Sequence, residues 1–120
     1  MILIDNFYTI KNQNISDEKA EFFVKLNAEH FIFQAHFPDN PITPGVCLIQ
    51  MATELFNLLK KTTFRIDTLK NAKFLETVNP LVFPEVDFVL EFSQNEIGWQ
   101  LKVLVKKDEI IFAKMSMVLV

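Results

Sequence analysis

Apolar and polar residues alternate with a period of two through most of this chain. The clearest stretches are AEFFVKLN at 20–27, VDFVLEFS at 86–93, WQLKVLVK at 99–106 and IIFAKMSMVLV at 110–120. This pattern is typical of antiparallel strands that bury one face. Short breaks at 94–98 and 107–109 predict hairpins between neighbouring strands. A further strand is predicted within IDTLKNAKFLETV, at 66–78, which ends before Asn79 and Pro80.

One central segment has a different pattern and predicts a long helix. Residues 46–61 contain neither Gly nor Pro and are rich in strong helix formers. Thr43 is the predicted N-cap, with Pro44 at the first helical position. Apolar residues lie on most sides, which predicts a helix surrounded by other structure. A polar stripe remains at spacings of three and four residues: Gln50, Thr53, Glu54 and Asn57.

These elements predict an α+β fold in which strands are followed by one buried helix and then by four more strands. A bent antiparallel sheet wrapped around one central helix buries all the predicted apolar faces. The length of 120 residues suits one domain, spanning 1–120, and the 13 Phe residues require a large core.

Charge and cysteine content narrow the functional classes. The formal net charge of −3 leaves no basic excess, which disfavours nucleic acid as a partner. The single cysteine, Cys47, cannot form an internal disulfide, which fits a reducing compartment such as the cytoplasm. Asp5 interrupts the apolar start, so no signal peptide is expected, and no run approaches the ~20 apolar residues that span a membrane. The two His and one Cys show no metal-ligand spacing, so neither metal nor cofactor is expected.

The strongest chemical signal is HFPDNPITPGV at 36–46. His36 precedes a loop that Pro38, Pro41 and Pro44 make rigid, and Gly45 permits close approach to the backbone. The helix that follows begins with N–H groups that can polarise a carbonyl oxygen. A base with a near-neutral pKa beside such a site suits removal of a proton next to a thioester carbonyl.

Structural interpretations compete with each of these functional ones. A lone histidine such as His36 is more often structural than catalytic. His30 lies in an aromatic and aliphatic stretch, and we interpret it as structural. We interpret Cys47 as a small buried hydrophobe. Gln50 and Glu54 are equally well explained as solvated residues or as functional ones.

The motif also resembles the signature of the (3R)-hydroxyacyl-acyl-carrier-protein dehydratases, which have the hot-dog fold. The pattern H-F-P-x-x-P-x-x-P-G-V is complete from His36 to Val46. The preceding FIFQAHF is similar to the family's approach, with Ala35 where Gly is usual, and NAKFLETVNP resembles the strand after the helix. The resemblance implies a bent sheet around one helix and dimers in which two sheets join, with active sites at the interface.

The resemblance also implies roles for individual residues. His36 matches the catalytic histidine, and Gly45 matches the helix start whose N–H receives the thioester oxygen. Val46 and Phe37 are neighbouring candidates for substrate binding. In the family the partner subunit supplies an acid from its helix, fourteen residues after the histidine, and this chain has Gln50 at that position. Glu54 stands where the family often has Gln, so the polar pair is exchanged.

The expected reaction is dehydration of 3-hydroxyacyl thioesters on acyl carrier protein to trans-2-enoyl thioesters. It would serve fatty-acid or related polyketide or polyene biosynthesis. His36 would take the C2 proton, and Gln50 would orient the hydroxyl, with Glu54 as a candidate proton source. The alternatives are a hot-dog thioesterase that uses Glu54 to activate water, and a non-catalytic acyl-binding subunit of a heteromeric dehydratase.

The expected partners follow from the same resemblance. An acidic carrier protein would dock at basic residues after the helix, Lys60, Lys61 and Arg65, although an ordinary solvated surface explains them equally well. The assembly would be a homodimer, a higher oligomer of dimers, or a heterodimer with a homologue.

Overall fold

Six antiparallel strands and two helices make up the computed structural model, which describes residues 2–35 and 39–120. The helices are α1 (Phe31–Ala35) and α2 (Gly45–Lys60). The strands are β1 (Tyr8–Ile15), β2 (Lys19–Leu26), β3 (Ile66–Phe74), β4 (Glu85–Gln94), β5 (Trp99–Lys107) and β6 (Ile110–Leu119). The predicted α+β class is therefore confirmed.

The strands form one sheet in the order β1-β2-β4-β5-β6-β3. Hairpins join β4 to β5 and β5 to β6 at the breaks that the sequence predicts. Helix α2 lies between β2 and β3 in the chain, and β3 pairs with β6 at the far edge of the sheet. β1 and β3 are thus the two edge strands, each with a single neighbour among the described strands.

The alternating strands bury one face against α2. In β4 the side chains of Val86, Phe88, Leu90 and Phe92 are buried, while Glu91 is exposed. These residues belong to one apolar cluster with the buried face of α2, which includes Leu48, Met51, Leu55 and Phe56. Full burial of such a side chain contributes about 1.5–3 kcal/mol, so this shared cluster holds the helix against the sheet.

The start of α2 differs from the prediction. The helix begins at Gly45, and Pro44, with φ −61° and ψ 143°, occupies the N-cap position without a side-chain cap. The assignment of Thr43 as the cap is wrong, because its hydroxyl donates to the carbonyl of Val78 over 2.9 Å. The backbone N–H of Thr43 donates to the same carbonyl at 2.8 Å. Thr43 therefore ties the loop before the helix to the segment after β3.

The end of α2 is closed by backbone and amide hydrogen bonds. Lys61 takes the left-handed conformation at φ 54°, and its N–H reaches the carbonyls of Asn57 and Leu58. The Asn57 side chain binds both the N–H and the carbonyl of Phe64 at 2.9 Å each. The polar stripe residue Asn57 is therefore engaged in fixing the turn into β3.

Aromatic rings pack around the last turns of α2. Phe56 lies 6.1 Å from Phe64, 5.6 Å from Phe92 and 5.5 Å from Trp99, between ring centroids. The ammonium of Lys60 sits 4.7 Å from the Phe92 centroid and 4.3 Å from that of Trp99. Cations at such distances are attracted to aromatic faces. We call Phe56, Phe64, Phe92, Trp99 and Lys60 the aromatic cluster.

His30 packs among rings just before α1, a short helix that the sequence did not predict. The imidazole is buried, with centroids 5.2 Å from Phe7 and 4.7 Å from Phe31. Its Nδ1 accepts the N–H of Ile32 at 3.1 Å. Such burial and pairing agree with the structural interpretation of His30.

Candidate active site

Gly45 leaves room at the start of α2 for an aromatic ring that lies against it. Its φ is not positive, so backbone conformation alone does not demand glycine. A Cβ at this position would stand 2.7 Å from the Cζ of Phe74, at the end of β3. Real Cβ atoms do not approach a ring so closely, and Phe74 would have to move. The ring of Phe74 therefore occupies the space that a side chain at position 45 would fill.

An open cavity of about 380 Å³ adjoins this contact. It is lined by Ile42, Thr43, Pro44, Gly45, Leu48 and the segment 74–78. Phe74 is 49% exposed and Val46 is 64% exposed, so large apolar side chains surround the helix start on its open side. Most of the lining is apolar, which suits a hydrocarbon chain.

The helix start can also bind an oxygen atom. N–H groups in the first turn of an α-helix have no intrahelical acceptor. In α2 those of Cys47 and Leu48 turn back to the carbonyl of Pro44, at 3.0 and 3.3 Å. The N–H groups of Gly45 and Val46 are therefore the candidates for polarising a carbonyl, aided by the helix dipole.

His36 and Phe37 lie outside the described residues, as does Pro38. Their proposed roles, His36 as base and Phe37 in substrate binding, stay predictions.

Glu54 has a defined structural setting in the middle of α2. Its Oε1 accepts the N–H of Ile4 at 2.8 Å and the hydroxyl of Tyr8 at 3.0 Å. Its Oε2 accepts the N–H of Leu3 at 2.8 Å and the Nε2 of Gln50 at 2.8 Å. The carboxylate thus receives four donors, which matches the number of its lone-pair positions.

This setting changes the interpretation of Glu54. It is not a solvated stripe residue, because it fastens residues 3 and 4 to the middle of the helix. The geometry therefore favours Glu54 as an acceptor that anchors the chain, rather than as the proton source.

The rest of the predicted polar stripe is also engaged. The hydroxyl of Thr53 is buried and donates to the carbonyl of Ile49 at 3.1 Å. Gln50 and Glu54 meet on one helix face, as their four-residue spacing predicts. Thr53 and Gln50 therefore make hydrogen bonds within α2, whereas Glu54 and Asn57 bind segments outside the helix.

Tyr8 was not identified from the sequence, although it is the only tyrosine. It is fully buried, and its hydroxyl donates to Glu54. Burial, followed by the nearby Glu54 carboxylate, raises the pKa of the Tyr8 phenol well above its usual range. A single tyrosine in an otherwise apolar N-terminal stretch was the one available signal, since a buried phenol usually needs a partner.

The described residues supply little other chemistry. Cys47 is buried, and burial raises the pKa of its thiol, the opposite of what a reactive thiol requires. Within 2–35 and 39–120, no group of three or more His, Cys, Asp or Glu side chains could hold a metal ion. In the same residues, no helix is long and apolar enough to cross a membrane.

Comparison with known proteins identifies the family. A family model described as ApeI-like, ApeI dehydratase, matches residues 12–113. The chain belongs to this dehydratase family. The 3-hydroxyacyl-[acyl-carrier-protein] dehydratase FabZ of Ligilactobacillus salivarius is 30% identical over 105 residues, covering 82% of this chain and 72% of that protein. FabZ of Latilactobacillus sakei is 32% identical over 108 residues, with the same coverage of both chains.

Solved structures confirm the hot-dog fold of this ApeI-like chain. The dehydratase heterocomplex ApeI:P from Xenorhabdus doucetiae matches with a TM-score of 0.68 at 17% identity, covering 92% of this chain and 95% of the other. A protein from Erwinia carotovora subsp. atroseptica also gives a TM-score of 0.68, at 16% identity, covering 91% of this chain and 90% of that one. The family and fold implied by the HFPDNPITPGV motif are therefore both confirmed.

Proposed function

We propose that the protein dehydrates 3-hydroxyacyl thioesters carried on acyl carrier protein to trans-2-enoyl thioesters. The observation that carries the proposal is the start of α2, where the N–H groups of Gly45 and Val46 adjoin a mostly apolar cavity. A thioester oxygen at the helix start would place its acyl chain along the cavity. Relatives named as dehydratases of this substrate class support the assignment.

In the proposed mechanism His36 removes the C2 proton and the helix-start N–H groups stabilise the enolate oxygen that forms. The electron pair then closes the C2–C3 double bond as the C3–O bond breaks. An amide cannot give up a proton as an acid does, so Gln50 holds the leaving hydroxyl by a hydrogen bond. The proton taken by His36 passes to that hydroxyl, which leaves as water.

Mass spectrometry of a 3-hydroxyacyl carrier protein incubated with the enzyme tests this reaction. Loss of water from the carrier-bound acyl group is the expected result. Release of free acid would instead identify a thioesterase. The four hydrogen bonds to Glu54 weigh against that alternative, since the carboxylate it would need to activate water is already occupied.

A non-catalytic acyl-binding subunit is the second candidate, and Gln50 at the family's acid position favours it. Such a subunit would bind the acyl carrier protein without changing its mass. It would act beside an active homologue, and mixing the two chains would raise the turnover of the homologue. Turnover by the chain alone would exclude this role.

We also propose assembly through the edge strand β3. Most of its residues are exposed, including apolar side chains at Leu69 and Phe74. Register shifts interrupt its pairing with β6 up to Asn71, after which pairing is regular to Phe74. An open edge of this kind invites pairing with a second sheet. Pairing there would bring a second subunit, a copy or a homologue, next to Gly45. Light scattering that showed a monomer at micromolar concentration would exclude a homodimer.

The predicted carrier-docking surface can be tested at Lys61. Lys60 is a poor probe, because its ammonium lies over Phe92 and Trp99 and its replacement would disturb the aromatic cluster. Charge reversal at Lys61 and Arg65 should slow association with an acidic carrier and weaken its salt dependence. Unchanged association at low salt would exclude docking there.

A further inference from the structure

We propose that the outer face of the sheet, the face turned away from α2, binds the same face of a second copy of this chain. This surface is separate from the edge of β3, and the inference does not depend on the proposed reaction. Its basis is the pattern of apolar and charged side chains that β4 and β5 present on the outer face.

The middle of the outer face carries apolar side chains. Residues that alternate with the buried positions of a strand point to the opposite side of the sheet. On that side Val89 of β4 pairs directly with Leu104 of β5. Phe23 of β2 and Ile111 of β6 lie on either side of this pair, and all four side chains are partly exposed. We call these four residues the apolar strip. Because the solvated face of an antiparallel sheet is usually polar, the apolar strip suits an interface.

Charged side chains flank the apolar strip in a regular order. β4 has Asp87 and Glu91 on the two sides of its apolar residue, and β5 has Lys106 and Lys102 on the two sides of its own. Asp87 pairs with Lys106 across the two strands, and Glu91 pairs with Lys102. At the middle of the face, the acidic positions therefore lie on β4 and the basic positions on β5.

This order of charges is self-complementary about one two-fold axis. An axis parallel to the strands, between β4 and β5, would place β4 of each copy over β5 of the other. Asp87 would then face Lys106 of the second copy. Glu91 would face Lys102 of the second copy. An axis across the strands would instead place Asp87 over Glu91 and bring like charges together. The charges therefore favour the axis parallel to the strands.

The same arrangement covers the apolar strip. Val89 would face Leu104 of the second copy, and Phe23 would face its Ile111. A depression of about 350 Å³ lies at Val89 and Leu104, so apolar side chains of the second copy have room to enter. Burial of the apolar strip would supply the attraction. Exposed ion pairs contribute little energy, and here they would mainly set the register.

The setting of Asp87 also favours a second copy. Its side chain is only 13% exposed, and the ammonium groups of Lys106 and Lys107 approach its oxygens only to 3.9 and 4.0 Å. Its Oδ1 is buried and accepts no hydrogen bond within the described residues. A buried carboxylate is costly unless nearby charges and donors compensate it. Lys106 of the second copy would add a cation where Asp87 is only partly neutralised.

Complementary charge reversals test the proposal. Glu91→Lys would set two lysines opposite each other in a pair of identical chains, and Lys102→Glu would set two glutamates opposite each other. Each variant alone should associate at least about tenfold more weakly than the parent, measured by sedimentation velocity over a concentration series. An equimolar mixture of the two variants should recover the association, because opposite charges then face each other at both contacts. Unchanged association of the single variants would overturn the proposal.

A mixture of Glu91→Lys with Lys106→Glu is the matched control. Its chains carry the same net charges as those of the first mixture, but the proposed register leaves like charges opposed at two contacts. Association should therefore not recover. Equal recovery in both mixtures would show attraction between oppositely charged proteins without this register, and would overturn the proposal.

A second pair of variants repeats the test if a reversal at Glu91 or Lys102 unfolds the chain. Glu21 pairs with Val89 and Lys114 with Leu104, so the two charges lie equally far from the axis on its two sides. Glu21→Lys and Lys114→Glu should each weaken association and should recover it when mixed. Thermal unfolding checks that every variant is folded.

The comparison holds whatever β3 binds, because all these variants leave β3 unchanged. If β3 pairs with a further copy, the two axes do not meet, and the assembly grows with concentration. If β3 pairs with a homologue that lacks this charge pattern, the assembly closes at two copies of each chain. In both cases the charge reversals should remove the association through the outer face. A parent protein without any association that the reversals remove would overturn the proposal.

Discussion

The two ends of helix α2 are built differently. The C-terminal end is closed against the sheet by three features: the aromatic cluster, the left-handed Lys61 and the amide of Asn57. At its start there is no side-chain cap, Val46 is exposed, and a cavity adjoins Gly45. The comparison indicates that stability is concentrated at one end, while the other end keeps N–H groups and apolar surface accessible for a ligand. Substitutions at the start of α2 should therefore mainly lower activity, and substitutions at its C-terminal end should mainly lower stability.

His36→Ala should show the largest effect, because His36 is the proposed base. Loss of a general base is expected to lower kcat by ~10²–10⁴-fold while leaving thermal unfolding unchanged. Circular dichroism and the mass-spectrometric assay measure the two quantities. His30→Ala is the control, and should retain turnover per folded molecule while losing stability. Unfolding of His36→Ala would show instead that His36 is structural.

Phe56→Ala should produce the opposite pattern at the other end. The ring is fully buried among Phe64, Phe92 and Trp99. Its loss should reduce the free energy of unfolding by about 3–5 kcal/mol, measured by urea denaturation. Phe74→Ala is the matched control, because that ring is half exposed and should affect turnover more than stability. Equal losses of stability would contradict the division between the two ends.

Gly45→Ala tests the fit between the helix start and Phe74. Overpacking costs about 1–3 kcal/mol, and we expect the lower end because Phe74 can swing towards solvent. A displaced ring should also lower kcat/KM. Phe74→Leu in the same chain should recover part of both losses by making room for the new methyl group. No recovery in the double variant would mean that Phe74 is not the residue that requires glycine.

The hydrogen bond from Tyr8 to Glu54, in the middle of α2, should make the stability of the protein depend on pH. The folded-state pKa of Tyr8 is raised above its unfolded value of 10.0. A raised pKa means that its stabilising contribution is present below pH 10 and is lost as pH rises above it. The free energy of unfolding should fall by up to ~1.4 kcal/mol per pH unit more steeply than in Tyr8→Phe. Parallel alkaline unfolding curves for the two proteins would contradict this assignment.

Lys60→Met should show the smallest effect. The substitution keeps apolar contact with Phe92 and Trp99 and removes the charge. We expect a loss of about 0.5–1 kcal/mol in urea denaturation, the usual size of a partly exposed cation–π interaction. Lys61→Met is the control, since no ring contact holds Lys61 among the described residues, and it should be neutral. If Lys60→Met left the free energy of unfolding unchanged, the Lys60 ammonium would not contribute to closing the helix.

Sequence pattern predicted the fold where burial is one-sided. β2, β4 and β5 bury alternate residues, and β6 does so from Ala113 to Met117, so their period of two was visible. The edge strands were harder to predict from the sequence. β1 is exposed along most of its length and was not assigned as a strand. β3 ends at Phe74, four residues before the predicted limit. Helix α1 is rich in aromatic and β-branched residues, which are poor helix formers, and it exists through tertiary packing.

The sequence predicted only those parts of the site that involve residues close together in the chain. The spacing of Gln50 and Glu54 placed them together on one helix face, and the motif placed Gly45 at the helix start. Three of the four donors to Glu54 come from residues 3, 4 and 8, and no local pattern indicates a contact across some fifty positions. Thr43 was misassigned for the same reason, because its partner Val78 lies 35 positions away.

The link from Leu3 and Ile4 to Glu54 has a consequence for biosynthesis. At ~5–20 residues per second, the ribosome needs roughly 3–10 s after Leu3 to reach Glu54. During that interval Leu3 and Phe7, both buried in the folded protein, have no helix to pack against. Leu3 and Ile4 are thus made well before the group that secures them, and the nascent chain must keep this apolar segment from wrong contacts until α2 has emerged.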